Sequence, residues 1–265
     1  MKKAVDGLIL REREIGENDK LLTILTADEG KIYMTAKGAR SMRSRVTSSC
    51  RLFSYANIEY YEREDRRWVS GGSVNYGFFE LCDDLVDFSL ACYISQIAEE
   101  ISGEGVEARD LLRATLNGLY CIEKKKRPRE QVKAAYEILA VRMSGMTPDV
   151  SCCARCGKTH GGMFWLDVMN GCLICDECQK KESGSLPLPE TDELNFRNIL
   201  MPLDDGALRA LRFLLRSHPR QLYNFAVHGE SERLLCAAAE TYMLNHLERG
   251  FNTLDFYKET VEKLT

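Results

Sequence analysis

Apolar and polar residues alternate along roughly the first 80 positions, and the period then lengthens to that of helices. The alternation predicts strands over Ala4 to Arg13 and Leu21 to Thr26. Another follows from Lys31 to Ala36, beyond an Asp28-Glu29-Gly30 turn whose glycine can take positive φ. Leu52 to Tyr61 alternates, with Phe53, Tyr55 and Asn57 on one face and Ala56, Ile58 and Tyr60 on the other. A last strand runs from Trp68-Val69, past Gly71-Gly72, through Val74 to Phe79. Five short strands in this length predict a small barrel of the oligonucleotide-binding (OB) type.

Helical spacing begins with Leu81, Leu85, Phe88 and Cys92, then Leu111, Leu112, Leu116 and Leu119, then Ala135, Ile138, Leu139 and Val141. Gly103-Glu104-Gly105 separates the first two helices, Pro128 suits the first turn of the third, and Gly145 with Pro148 ends it. Helices resume over Glu193 to Leu200, Gly206 to Ser217 and Ser231 to Arg249. The expected organisation is α+β and multi-domain. A barrel spans 1–80, a helical domain spans 81–149 and 183–265, and a cysteine-rich module at 150–182 is inserted in it.

That module carries the most specific chemistry. Cys153-x-x-Cys156 and Cys175-x-x-Cys178 flank eighteen residues, the spacing of a closed four-cysteine structural zinc site. Phe164-Trp165-Leu166 and Asn170-Gly171 suit a small hairpin between the pairs. Cys152 and Cys172 leave the register open, because Cys172-x-x-Cys175 is also a legal pair. His160 reads as an exposed turn residue. Five of the eleven cysteines lie outside the module. With no secretory pattern after Met1-Lys2-Lys3 and no long apolar run, a cytoplasmic protein without a membrane span is expected.

Charge narrows the picture further. The net charge is −4, so a polyanion surface must be a local patch. Residues 31–51 contain six basic residues and no acidic one. Lys31, Lys37, Arg40, Arg43 and Arg45 are the candidate DNA contacts there, and Gly38 permits close backbone approach. Tyr33, Tyr55, Tyr60 and Trp68 are either base-stacking rings or barrel core. A second basic run, Lys124 to Arg127 with Arg129, suits a helix terminus. Arg209, Arg212 and Arg216 share one helix face beside Phe213 and Phe225, a candidate groove for an acidic, apolar peptide tail.

Gly16-Glu17-Asn18-Asp19-Lys20-Leu21, Thr26, Gly30-Lys31, Ala36-Lys37-Gly38-Ala39-Arg40 and Ser44-Arg45 together resemble the opening of the RecO family of bacterial recombination mediators. Tyr136-Glu137 to Gly145, Thr147-Pro148, Cys153-x-x-Cys156-Gly157, Phe164, Asn170-Gly171, Cys175-x-x-Cys178 and His246-Leu247-Glu248 continue the likeness in order. Asn170-Gly171 departs from the family's more usual Gly-Gly, and Cys152 and Cys172 are additional. The resemblance implies an OB barrel, a helical region with an inserted zinc module, and a place at the bacterial nucleoid. It also implies binding of single- and double-stranded DNA and annealing of complementary strands. The implied partners are RecR, the tail of single-strand-binding protein (SSB) and, indirectly, RecA.

Enzymatic readings lack a motif. There is no phosphate-cradling Gly-x-x-x-x-Gly-Lys-Ser/Thr loop, no His-x-Glu beside a Pro-Cys-x-x-Cys, and no βαβ context for a redox pair. The expectation is a non-catalytic protein. A zinc-containing interaction scaffold without annealing activity is the alternative.

Overall fold

A computed structural model describes residues 2–41, 46–64, 66–183 and 199–264. The expected barrel is present. Its strands are β1 (Lys2–Ile15), β2 (Asp19–Thr26), β3 (Lys31–Ala36), β4 (Ser54–Arg63) and β5 (Arg66–Gly77). They close in the order β1-β2-β3-β5-β4. Every pairing is antiparallel except the closing seam, where Thr35 of β3 meets Trp68 of β5 in parallel. This is the five-stranded OB arrangement. Ile9, Leu22, Ile24, Ile32, Met34, Ala56, Ile58, Tyr60 and Val69 fill the interior. Each large aliphatic among them stabilises by about 1.5–3 kcal/mol on burial.

Two strand details differ from the alternation. Phe53 does not join the outer face of β4. It takes φ 62°, is fully buried, and meets Phe88 edge-on at 5.9 Å. Its N–H donates to Ile9 O at 3.1 Å, so the backbone kinks just before the strand begins. Tyr60 is core, whereas Trp68 lies on the outside.

By Cα packing the chain forms two compact units, Met1–Arg129 with Phe251–Thr265, and Glu130–Gly250. In the first, a 3-10 turn (Phe79–Asp83) leads to α1 (Leu85–Ile101) and α2 (Arg109–Glu123), and the C-terminal α7 (Asn252–Leu264) packs on α1. Asp84 caps α1 by accepting from Val86 N and Asp87 N. The second basic run serves this unit's structure. Lys124 pairs with Glu80 at 2.7 Å, Lys125 with Asp87 at 2.9 Å, and Arg129 with Asp84 at 2.8 Å.

The second unit holds α3 (Arg129–Met143, but for its first residue), α5 (Asp205–Arg216) and α6 (Glu230–His246). It also holds a sheet in the order β6-β8-β7-β9, made of β6 (Asp149–Cys153), β7 (Phe164–Asp167), β8 (Cys172–Cys175) and β9 (Leu200–Leu203), with α4 (Asp176–Ser183) beside it. The helix expected over Glu193 to Leu200 falls largely outside the described residues, and Leu200 opens β9 instead. That strand pairs antiparallel with β7, and its edge position tolerates Pro202, which has no N–H to give a ladder. The helix expected to reach Arg249 ends at His246, and α7 follows after the break at Glu248 (φ 49°) and Gly250. No described helix is long and apolar enough to cross a membrane.

Candidate metal centre and nucleic-acid interface

The sheet of the second unit brings both cysteine pairs to one place. The sulfurs of Cys153, Cys156, Cys175 and Cys178 all lie within 4.8 Å of one another. Cys156 Sγ and Cys175 Sγ are 3.6 Å apart. A tetrahedral zinc–thiolate site, with metal–sulfur bonds of about 2.3 Å, has edges of about 3.8 Å, so the spacing fits one ion. Local backbone explains the grouping. Gly157 N donates to Cys153 O at 2.9 Å and Cys153 N to Lys158 O at 2.8 Å, which folds the first pair into a tight turn. β7 and β8 form the expected hairpin, so Cys175 ends a strand and Cys178 sits in the first turn of α4.

The surroundings favour a thiolate at Cys153, whereas burial pushes the Cys175 thiol up and the neighbouring Cys156 sulfur pushes the Cys178 thiol up. Cys175 N donates to Cys153 Sγ at 3.3 Å. Burial pushes the Cys153 thiol up, but N–H groups of Cys175, Cys156 and Arg155 outweigh it and bring the group down to about 6. Lys158 bridges the two pairs by its 2.9 Å bond to Glu177. Cys152 and Cys172 stand outside the group. Strand alternation explains both, since Cys152 is opposite-faced to Cys153, and Cys172 to Cys175, three positions along β8. His160 is exposed and bonded to Thr159.

The basic stretch leaves the end of β3. Its turn is built by Asp19, which accepts from Gly38 N at 2.8 Å, and by Arg40 N donating to Asn18 O at 3.1 Å. Gly38 has φ 64° and open space where a Cβ would stand. The named cations have different surroundings. Lys37 is exposed, with no ion pair among the described residues. Arg40 is exposed but held by Glu14 at 3.0 Å and Glu17 O at 2.8 Å. Lys31 lies half-buried at the other end of β3 and donates to Glu99 O at 2.6 Å. Arg43 and Arg45 fall outside the described residues.

The register adds residues that alternation alone did not single out. One row of outward positions runs Arg13, Leu21, Thr35, Trp68, Tyr61, Lys2 across all five strands. Arg13 is exposed on the same end of the barrel as Lys37. Only strand pairing brings it there, so the sequence offered no spacing to find it by.

On α5 the three arginines separate. Arg212 donates to Val150 O at 2.7 Å and Ser151 O at 2.9 Å, which ties the helix to β6. Arg209 pairs loosely with Asp205 at 3.3 Å, and Arg216 is exposed. Phe213 and Phe225, 6.1 Å apart, line a groove of about 480 Å³ with Arg209 and His228 at its rim.

Comparison with known proteins agrees with this geometry. The family description "Recombination protein O N terminal" matches residues 1–74 and "Recombination protein O C terminal" matches residues 82–192. The chain is 27% identical to the DNA repair protein RecO of Acetivibrio thermocellus over 252 residues, covering 95% of this chain and 94% of that one. It is 26% identical to that of Alkaliphilus metalliredigens over 255 residues, covering 96% and 98%. It is 34% identical to that of Anaeromyxobacter dehalogenans over 188 residues, covering 69% and 72%. With an OB barrel early in the sequence, a four-cysteine cluster later in it and both family models matched, the chain belongs to the RecO family of DNA repair proteins.

Proposed function

We propose that this protein is a non-catalytic recombination mediator that binds single- and double-stranded DNA and anneals complementary strands through the cationic end of its barrel. The observation that carries the reading is the acid-free stretch on an OB barrel within a chain of this family. Lys37, with Arg40, Arg43 and Arg45, neutralises phosphates and releases their counterions, which lowers the repulsion between two strands being paired. Arg13 adds to the same end, and Lys31, tied to Glu99, contributes least. The acidic balance of the whole chain limits non-specific spread.

The four thiols hold one structural Zn²⁺. Four sulfur ligands leave no open position for substrate, so the ion staples a small sheet that cannot build its own core. RecR and the SSB tail are the protein partners, and RecA loading is the downstream result. The tail's apolar, acidic end suits the Phe213–Phe225 groove, with Arg209 and Arg216 supplying charge and Arg212 holding the helix. The protein acts in the cytoplasm, at the nucleoid.

Replacing Lys37, Arg40 and Arg43 together with Ala tests the interface. Single-strand affinity should fall and the salt dependence flatten by about 0.7 in log–log slope for each phosphate no longer neutralised. Unchanged affinity and slope would remove this patch as the site.

A further inference from the structure

Tyr61 and Trp68 face each other across β4 and β5 on the outside of the barrel. Their rings lie 5.4 Å apart and are parallel to within 17°. Outward positions on a solvated barrel strand are normally polar, yet here two large rings are adjacent and Tyr61 is 43% exposed. The pair lies in the outward row between Thr35 of β3 and Lys2 of β1. It is therefore continuous with β3, the strand that leads into Lys37. Cations frame it. Arg66 is exposed with no ion pair among the described residues. Among the described residues Lys2 pairs with the half-exposed Glu59 and Arg63 with the exposed Glu64, surface pairs that a phosphate can displace at little cost.

We propose that Tyr61 and Trp68 form a stacking platform for an unpaired base, with Arg66, Arg63 and Lys2 reaching the flanking phosphates. This deepens the proposed function and rests on its reading of the barrel as a single-strand binder. Flat rings accept any base, because every base has a π-face. A base inside a duplex is already stacked on both sides, so the platform selects single strands, while Lys37 and Arg40 serve either form.

The chain has two tryptophans, so Trp165→Phe leaves Trp68 as the sole tryptophan, excited selectively on the red edge of its absorption, where the tyrosines do not absorb. A thymidine oligonucleotide should quench the Trp68 emission saturably. An abasic oligonucleotide of the same length, with the same phosphates, should bind without quenching. Anisotropy of the labelled strand measures binding independently. Binding of the thymidine strand without quenching would overturn the platform and leave the barrel reading standing. Absence of binding by either strand would overturn both. In the otherwise native chain, Trp68→Leu should weaken thymidine binding about tenfold and leave abasic binding unchanged. Equal losses on the two strands would contradict the proposal, whether or not the Trp165 variant folds.

Discussion

Single residues in this protein do their work through backbone contacts as much as through charge. Gly30 has φ 63°, and a Cβ there would stand 2.2 Å from Gly103 O and 2.6 Å from Val106 O. Gly30→Ala should destabilise the barrel unit by more than about 2 kcal/mol, because it combines a strained φ with a backbone clash. Denaturant titration checks this, and Gly38→Ala, with open space at its Cβ, should cost about 1–2 kcal/mol. Arg212 is a second case. Losing its charged bonds to Val150 O and Ser151 O should cost about 1.5–3 kcal/mol in Arg212→Ala. Arg209→Glu with Arg216→Glu should instead leave the melting temperature within a few degrees and weaken a titrated SSB-tail peptide. The arginines' shared helix face was legible from their spacing. Arg212's division of labour was not, since its acceptors lie some sixty residues away in sequence, on β6.

At the scale of elements, termini and edges carry the arguments. Asp84 caps α1, and Asp84→Ala should cost about 0.5–2 kcal/mol by loss of the cap alone. Its carboxyl is held below the usual aspartate range, first by the N–H of Asp87 and further by Arg129 and Lys125. A depressed carboxyl contributes its full stability above its unfolded value near 3.8 and loses it as pH falls through the lower folded value. The stability difference between wild type and Asp84→Ala should therefore be flat at neutral pH and shrink below about pH 4. The barrel strands and the first three helices were readable because one face of each is buried, and burial imposes a period. β9 was not, because an edge strand of four residues containing Pro202 has too little length to show one. α7 was readable in principle. Phe251, Leu254 and Tyr257 recur every three positions and are buried, but the preceding run to Arg249 masked the break.

At the scale of the whole molecule, the four clustered thiols and the barrel belong to different compact units. Purified protein should contain about one zinc per chain, measured by metal analysis, and Cys175→Ser should lose it. Cys152→Ser and Cys172→Ser should keep it, since neither sulfur joins the cluster. The four ligand cysteines were legible as a motif, and the alternation of β6 and β8 gives the physical reason that Cys152 and Cys172 stay outside the cluster. Likewise the basic stretch was visible as composition, but the ring-bearing row beside it exists only once the barrel closes at Thr35 and Trp68. The proposed role of the barrel is to bring complementary strands together without turnover. Fluorescence annealing of complementary oligonucleotides coated with SSB tests it most directly. The native protein should accelerate pairing, and the Lys37→Ala, Arg40→Ala, Arg43→Ala variant should lose that acceleration while keeping its zinc. Equal acceleration by both proteins, or none by the native one, would rule that role out.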